Sequence, residues 1–311
     1  MEQAALKTEY NSDQLVDLRD QLRKLFVGKE HVIDTTICAL LSGGHLLLED
    51  VPGVGKTTFI KALAKLLGLE VSRIQFTADL LPADIIGVEV FNSQANKFEF
   101  HKGPIFANVI MADELNRASP RTQSALLEAM GEGSVTVDRA THELPTPFMV
   151  IASQNPSDSL GTYELPESQL DRFAAKVIMG YPEKSREQEI FKQASDNPLR
   201  DIPGSIFDFQ TLESMRMSVE EVHLSDAVVA YAQRVIDASR NDANFSLGIS
   251  TRGGVVWIRM ARAYAKIEGR NFVTPDDLQH LAAPCLGHRI VPVGSMTEEE
   301  IVRQLLESVD I

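Results

Sequence analysis

A short loop with two glycines, a lysine and threonines carries the strongest chemical signal in the sequence. Residues 50–58 read DVPGVGKTT. Gly53 and Gly55 let the backbone approach an anion closely, and the amides that follow would lie at a helix N-terminus, where the dipole favours negative charge. Lys56 adds a charge for outer phosphates, and the Thr57 hydroxyl suits Mg²⁺ between phosphates. The segment predicts a phosphate-binding loop whose contacts are Pro52, Gly53, Val54, Gly55, Lys56, Thr57 and Thr58, with Thr57 as a metal ligand.

The flanking sequence predicts the strand–loop–helix arrangement that such a loop needs. Leu46–Leu48 form a short apolar run, typical of a buried strand, and apolar residues after Thr58 recur at helical spacing. Asp50 stands where the pattern G-x-x-x-x-G-K-[ST] has its first glycine. Aspartate tolerates turn geometry well, so we expect the loop to close. The alternative is a Gly-Pro turn that binds nothing.

An acidic pair that ends the apolar run Asn108–Ala112 is the second chemical signal. Asp113 at a strand end can hold Mg²⁺ opposite Thr57, directly or through water. Glu114 can polarise the water that attacks a γ-phosphate. This is the Walker B pattern, although the same letters also occur at ordinary strand ends.

Three further positions are candidates for the same chemistry. Asn155 follows the predicted strand Phe148–Ala152 and could orient an attacking water, although Asn-Pro is also a common turn. Arg252 lies at the start of a predicted helix, where an arginine can reach a phosphate; a solvated surface arginine is equally well supported. Val27 and Gly28 could lie against a nucleobase, and a plain helix–helix turn has equal weight.

The order of the predicted elements indicates an α/β fold. Five strand patterns, beginning near residues 46, 71, 108, 148 and 175, alternate with helical segments, which is typical of a three-layer parallel sheet. Hairpin signals interrupt this pattern at 86–101 and 133–148, and Leu165–Phe173 reads as a helical segment before the fifth strand. After residue 182 we find only helical patterns, near residues 184–194, 210–217, 225–240, 252–268, 275–285 and 297–308. We therefore predict an α/β nucleotide-binding domain over 1–182 and a small all-helical domain over 183–311.

Composition narrows the classes of function. The chain has 311 residues and a formal net charge of −14, which argues against a general affinity for nucleic acid. Cys38 and Cys285 are far apart in the sequence, which favours a reduced, cytoplasmic setting. The longest apolar runs are too short for a membrane span, and the N-terminus lacks the apolar segment of a signal peptide.

Taken together, these signals resemble AAA+ ATPases. The loop, the acidic pair, Asn155 and Arg252 follow the order of the Walker A, Walker B, sensor 1 and sensor 2 elements. More narrowly, the chain is similar to the MoxR family from about Leu18 to about Arg289. The segments that carry this resemblance are LLLEDVPGVGKTT, ADELNRASPRTQSALLEAMGEGSVTVD, ASQNPSDSLGTYELPESQLDRF and STRGG.

The resemblance implies roles that the residues alone leave open. An aspartate at position 50 is familiar in that family. The resemblance also favours contact of Val27 and Gly28 with adenine, and it assigns the helical domain as an AAA+ lid. It also implies that Arg172 is an arginine finger for the nucleotide of a neighbouring subunit, with Arg117 and Arg121 as competing candidates. The two hairpins match the helix-2 insert and the pre-sensor-1 hairpin, which usually face the pore of a ring.

The function implied by the resemblance is Mg²⁺-dependent ATP hydrolysis by a ring, with a hexamer as the expected size. MoxR proteins are regarded as chaperone-like ATPases that mature partner complexes, often with a separate von Willebrand A-domain protein. The alternatives are a nucleic-acid motor or loader, which the acidity disfavours, and a magnesium-chelatase subunit. A nucleotide-gated binding module without turnover is disfavoured by Glu114.

Overall fold

A five-stranded parallel sheet forms the centre of the structure, with its strands in the order β2-β5-β8-β1-β9. The computed structural model describes residues 12–49, 51, 53–138, 140–155, 161–184, 187, 188, 191, 199, 200 and 202–310. The sheet strands are β1 (Leu46–Glu49), β2 (Val71–Gln75), β5 (Val109–Asp113), β8 (Met149–Gln154) and β9 (Ala175–Val177). The predicted α/β fold is therefore confirmed.

Helices connect and cover these strands. α3 begins directly after Gly55 and ends at Gly68, and both glycines have positive φ, of 97° and 66°. This left-handed geometry is the one that glycine adopts without steric cost. The helices of this part of the chain are α1 (Ser12–Leu25), α2 (Glu30–Leu41), α3 (Lys56–Leu67), α4 (Pro82–Ile86), α5 (Pro120–Glu132) and α6 (Glu167–Leu170).

Two antiparallel hairpins occupy the stretches in which hairpin signals were found. One joins β3 (Gly87–Asn92) to β4 (Lys97–Lys102), and the other joins β6 (Ser134–Val137) to β7 (Ala140–Glu143). The rings of Phe100 and His142 stack at 3.9 Å between centroids, so the two hairpins contact each other.

The C-terminal part of the chain is mainly helical. Ser225 caps α8 by accepting a hydrogen bond from the Val228 amide, and Thr274 forms a capping box with Asp277 at α10. The predicted helix over 184–194 lies largely outside the described residues. The helices that the structure describes here are α7 (Phe209–Glu220), α8 (Asp226–Asn241), α9 (Thr251–Ile267), α10 (Pro275–Leu286) and α11 (Glu298–Glu307).

Two predictions about local structure need correction. The C-terminal part also contains a short antiparallel pair, β10 (Phe245–Leu247) with β11 (Val291–Pro292), where we expected helices alone. The predicted helical segment Leu165–Phe173 shrinks to α6. Beyond α6 the chain turns, and the Asp171 carboxylate there accepts a hydrogen bond from Nε of Arg289 at 2.8 Å.

One buried apolar cluster joins the sheet to the C-terminal helices. Its members include Leu40 of α2 and Trp257 of α9, and the indole N–H of Trp257 donates to the Leu278 carbonyl at 2.9 Å. Cys38 and Cys285 are both buried free thiols in this cluster. Over the residues with described structure, no helix has the length and apolar character needed to cross a bilayer.

His45, immediately before β1, is a buried hydrogen-bonding link between strand and helix. Its Nδ1 accepts the Val150 amide at 3.0 Å, so Nε2 carries the proton and donates to the Met130 carbonyl at 3.0 Å. The side chain is therefore satisfied as a neutral imidazole. Burial lowers the pKa of His45 to about 4.

This low pKa predicts a pH dependence of stability. The unfolded chain takes up a proton at His45 near pH 6.5, whereas the folded chain resists it down to about pH 4. The free energy of unfolding should therefore fall by about 3 kcal/mol through this group as the pH drops between those values. Urea unfolding at several pH values should show a shallower fall for His45→Gln, which can make both hydrogen bonds without titrating. Equal pH slopes for the two proteins would contradict the prediction.

Candidate functional site

The carboxyl ends of β1, β5 and β8 meet at one edge of the sheet and form a cleft of about 350 Å³. Parallel α/β sheets bind ligands at this edge. Most of the residues that the sequence assigned to phosphate and metal chemistry lie around this one cleft. We call it the phosphate cleft, and its lining consists of Gly53, Gly55, Lys56, Thr57, Thr58, Arg73, Gln75, Asp113, Glu114, Ser153, Gln154 and Asn155.

The loop between β1 and α3 has the backbone shape that a phosphate would need. Gly53 and Gly55 have φ of 87° and 97°, and open space surrounds the position where a Cβ would stand on either one. The Lys56 ammonium donates to the Val51 carbonyl at 3.4 Å. Val54 packs against the apolar core. Asp50 and Pro52 lie outside the described residues.

Asp113, the last residue of β5, is held by two side chains. Its Oδ1 accepts from the Ser153 hydroxyl at 2.9 Å, and its Oδ2 accepts from Nε of Arg73 at 2.8 Å. The Asp113 carboxylate and the Thr57 hydroxyl supply hard oxygen donors, which fit Mg²⁺ completed by phosphate and water oxygens. A metal ion on Oδ2 would have to share or replace the Arg73 contact.

Glu114 lies in a strained backbone conformation beside this carboxylate. Its φ of 56° and ψ of 48° are left-handed, which is uncommon for a residue with a side chain. Its Oε2 accepts from Nε2 of Gln75 at 2.7 Å and pairs with Nε of Arg117 at 3.3 Å. Its amide donates to the Ser153 hydroxyl at 3.0 Å. These contacts fix the carboxylate in the cleft.

Asn155 follows β8 directly and is buried, with 9% of its surface exposed. Its neighbour Gln154 donates to Glu49 at 3.0 Å, and the Lys176 ammonium lies 2.5 Å from both Glu49 and Glu298. Glu298 belongs to α11, so this ion network links the end of β1, next to the phosphate loop, to the C-terminal helices.

Arg172 and Arg252 do not line this cleft; they lie together in a second cleft of about 140 Å³. Nη1 of Arg172 donates to the Leu127 carbonyl at 2.7 Å. The neighbouring Asp171 accepts from Arg289, which is only 5% exposed, and from the Ser250 hydroxyl that caps α9. The turn that carries Arg172 is thereby fixed to the helix that carries Arg252.

Comparison with known proteins identifies the family. A sequence profile of the ATPase family associated with various cellular activities (AAA) matches residues 45–175, and an AAA lid domain profile matches residues 237–306. The chain is 43% identical over 300 residues to the uncharacterized protein YeaC of Bacillus subtilis, covering 94% of this chain and 93% of YeaC. It is 36% identical over 295 residues to chaperone MoxR1 of Mycobacterium tuberculosis, covering 92% and 78% of the two chains. The chain belongs to the MoxR family of AAA ATPases.

A solved structure agrees with this membership. A protein from Cytophaga hutchinsonii, provisionally assigned as an ATPase, superposes with a TM-score of 0.88 and 34% identity, covering 96% of this chain and 95% of that one. The parallel sheet and the helical lid of this MoxR-family chain are thus shared with an experimental structure.

The turn that carries Val27 and Gly28 lies beside the phosphate-loop helix. Phe26 packs edge-on against Phe59 of α3, with 5.2 Å between ring centroids. Gly28 has a φ of 75°, and Val27 is 45% exposed. The turn therefore lies beside α3, and it does not line the cleft that contains the phosphate loop.

Sequence reasoning missed Arg73, Gln75 and Ser153 in this MoxR-family site. Arg73 and Gln75 are two residues apart on β2, so they point to the same side of the sheet. Two long polar side chains at this spacing in a predicted strand were the available signal. Ser153 is a lone hydroxyl in an apolar strand, and no local pattern distinguishes it.

Proposed function

We propose that this MoxR-family chain hydrolyses ATP in the presence of Mg²⁺ and uses the energy to remodel protein partners. The observation that carries the proposal is the single cleft in which the phosphate loop, Asp113, Glu114 and Asn155 meet. AAA proteins share ATPase chemistry at the level of the family. Similarity to a protein named a chaperone supports the remodelling role.

The residues of the cleft would have separate roles in ATP binding and hydrolysis. Amides at the start of α3 and Lys56 bind the phosphates, while Thr57 and Asp113 hold the magnesium ion, which neutralises developing charge when bound. Glu114 accepts a hydrogen bond from the attacking water and so aligns it with the γ-phosphate. Asn155 orients the same water from the neighbouring strand.

The arginines point to assembly. Arg172 and Arg252 share a cleft away from the phosphate loop, so neither is in place for the nucleotide of its own chain. Within the residues that the structure describes, neither has a carboxylate at ion-pairing distance. A neighbouring subunit in a ring would bring its γ-phosphate to this pair, and AAA membership supports such an assembly. A hexamer is the ring size we propose.

Other parts of the proposal rest on the sequence and on family membership. The hairpins β3–β4 and β6–β7 would face the pore, and the lid would begin near residue 183. A von Willebrand A-domain protein and a protein client would be separate chains. We place the protein in the cytoplasm, where buried Cys38 and Cys285 would stay reduced.

Lys56→Ala tests the proposed nucleotide site. Removing the ammonium should weaken ATP binding by about tenfold or more, because a charged hydrogen-bond donor to the phosphates is lost. Isothermal titration with ATP and Mg²⁺ measures the effect. Lys61→Ala, on an exposed position of the same helix, is the matched control and should bind normally. If both variants bind ATP like the wild type, the loop is not the nucleotide site.

A further inference from the structure

A third cleft, of about 490 Å³, opens between the end of α2, α7 and α9. It is separate from the phosphate cleft and shares Ser42 and Arg259 with the cleft of Arg172 and Arg252. Its lining combines arginines, glutamates and an apolar wall, namely Leu41, Ser42, Glu213, Arg216, Met217, Val219, Glu220, Arg259 and Arg262.

Three arginines concentrate positive charge in this cleft. Arg259 and Arg262 are three residues apart on α9, so they lie on one face of the helix, and Arg216 faces them from α7. This is a notable concentration in a chain whose net charge is −14. Arginine also presents a planar set of donors that matches a phosphate.

The arginines are only partly neutralised. Glu213 accepts from Nη1 of Arg216 through both oxygens, the longer contact being 3.0 Å. For Arg259 and Arg262, no carboxylate stands at ion-pairing distance in the part of the chain that the structure describes. Nε of Arg216 and Nε of Arg262 are buried without a hydrogen-bond partner. Buried donors without partners are uncommon, and a water, an ion or a ligand can satisfy them. Two of them line this one cleft.

The rest of the lining indicates a ligand that has an organic part as well as a negative charge. Met217 is 71% exposed and supplies most of the accessible apolar surface, whereas Leu41 and Val219 beside it are each only 3% exposed. Together they offer an apolar surface. Glu220, which is exposed at the end of α7, can accept a hydrogen bond from a hydroxyl or amino group of a ligand. The volume lies within the range of small-molecule sites.

We propose that this cleft is a second ligand site, which binds an organic phosphate through Arg259, Arg262 and Arg216. The phosphate lies against Arg259 and Arg262, and the organic body lies on the apolar side of the cleft, mainly on Met217, with a polar group on Glu220. Arg216 stays paired with Glu213 and supplies its remaining donors. The site does not use the phosphate loop, although Arg259 also lines the cleft of Arg172 and Arg252.

AMP is a suitable probe because it has one phosphate, a flat aromatic base that can pack on an apolar wall, and amino and hydroxyl groups. It is titrated into Lys56→Ala, in which the phosphate loop is weakened, at a protein concentration at which sedimentation shows monomers. We expect one AMP per chain, bound more tightly than inorganic phosphate because only AMP covers the apolar wall. Adding Arg259→Gln should raise the dissociation constant for AMP by about tenfold or more.

Two matched substitutions locate the ligand. Arg303→Gln removes an exposed arginine from α11 and should leave AMP binding unchanged. Arg172→Ala should also leave it unchanged, because Arg172 lines only the neighbouring cleft. Circular dichroism and thermal midpoints verify that each variant folds. AMP binding that is absent, that equals phosphate binding, or that falls with Arg172→Ala rather than with Arg259→Gln would overturn the proposal.

Discussion

Glu114→Gln should leave ATP binding intact and lower the rate of hydrolysis by about a hundredfold or more, the scale of a positioned general base. Glutamine keeps the shape of the side chain but has no carboxylate to receive the proton of the attacking water. The amide oxygen can still accept from Gln75, which now reaches the Glu114 carboxylate at 2.7 Å. The substitution therefore removes the base and its ion pair with Arg117, while the contact with Gln75 persists.

Single-turnover hydrolysis with excess enzyme measures this effect, because it isolates the chemical step from product release. Glu128→Gln, on an exposed position of α5, is the matched control and should hydrolyse ATP at the wild-type rate. Isothermal titration should give similar ATP affinities for all three proteins. A near-normal single-turnover rate for Glu114→Gln would show that Glu114 is not the catalytic base.

The residues that line the phosphate cleft could be predicted to lie together where their signals are local in sequence. The glycine loop precedes its own helix, and Asp113 and Glu114 end their own strand, so strand polarity alone brings them to one edge of the sheet. Arg73 and Gln75 could not be found in this way. Arg73 contacts Asp113 at the end of β5, and Gln75 contacts Glu114 directly after that strand. The sequence alone does not reveal that β2 and β5 are neighbours.

The missed elements share a different physical cause. The strands β10 and β11 are only three and two residues long, and they pair across more than forty positions of the chain. Such short segments show no alternation that could be detected. The contact of Asp171 with Arg289 likewise joins segments that are distant in the sequence, directly after the end of α6.

The position of Arg252 is the most informative case. Its place at the start of a predicted helix indicated that it can reach a phosphate, with a solvated surface arginine equally well supported. Only the folded chain shows that it lies with Arg172, because Ser250 and Arg289 both bind Asp171. The pair therefore lies away from the phosphate loop of its own chain, which is the basis of the proposal that it acts on a neighbouring subunit.

Arg172→Ala should bind ATP nearly normally yet lower hydrolysis by about a thousandfold, the scale of an arginine supplied to phosphoryl transfer by a neighbour. The guanidinium is a permanent, planar charge that stabilises the transferring phosphate. In the isolated chain it donates to the Leu127 carbonyl, so its loss leaves the phosphate cleft untouched. Arg121→Ala, which alters an exposed arginine at the start of α5, is the comparison variant.

Mixing two inactive variants distinguishes action on a neighbour from action within one chain. Glu114→Gln subunits keep the arginine but lack the base, whereas Arg172→Ala subunits keep the base but lack the arginine. In a mixed ring, an Arg172→Ala cleft can receive Arg172 from an adjacent Glu114→Gln subunit. The mixture should therefore recover ATPase activity that neither variant shows alone, with a maximum at intermediate ratios. Energy transfer between labelled chains, measured alongside the assay, shows whether the subunits exchange. If subunits exchange and no activity returns, Arg172 does not act on a neighbour, and Arg117 or Arg121 becomes the better candidate.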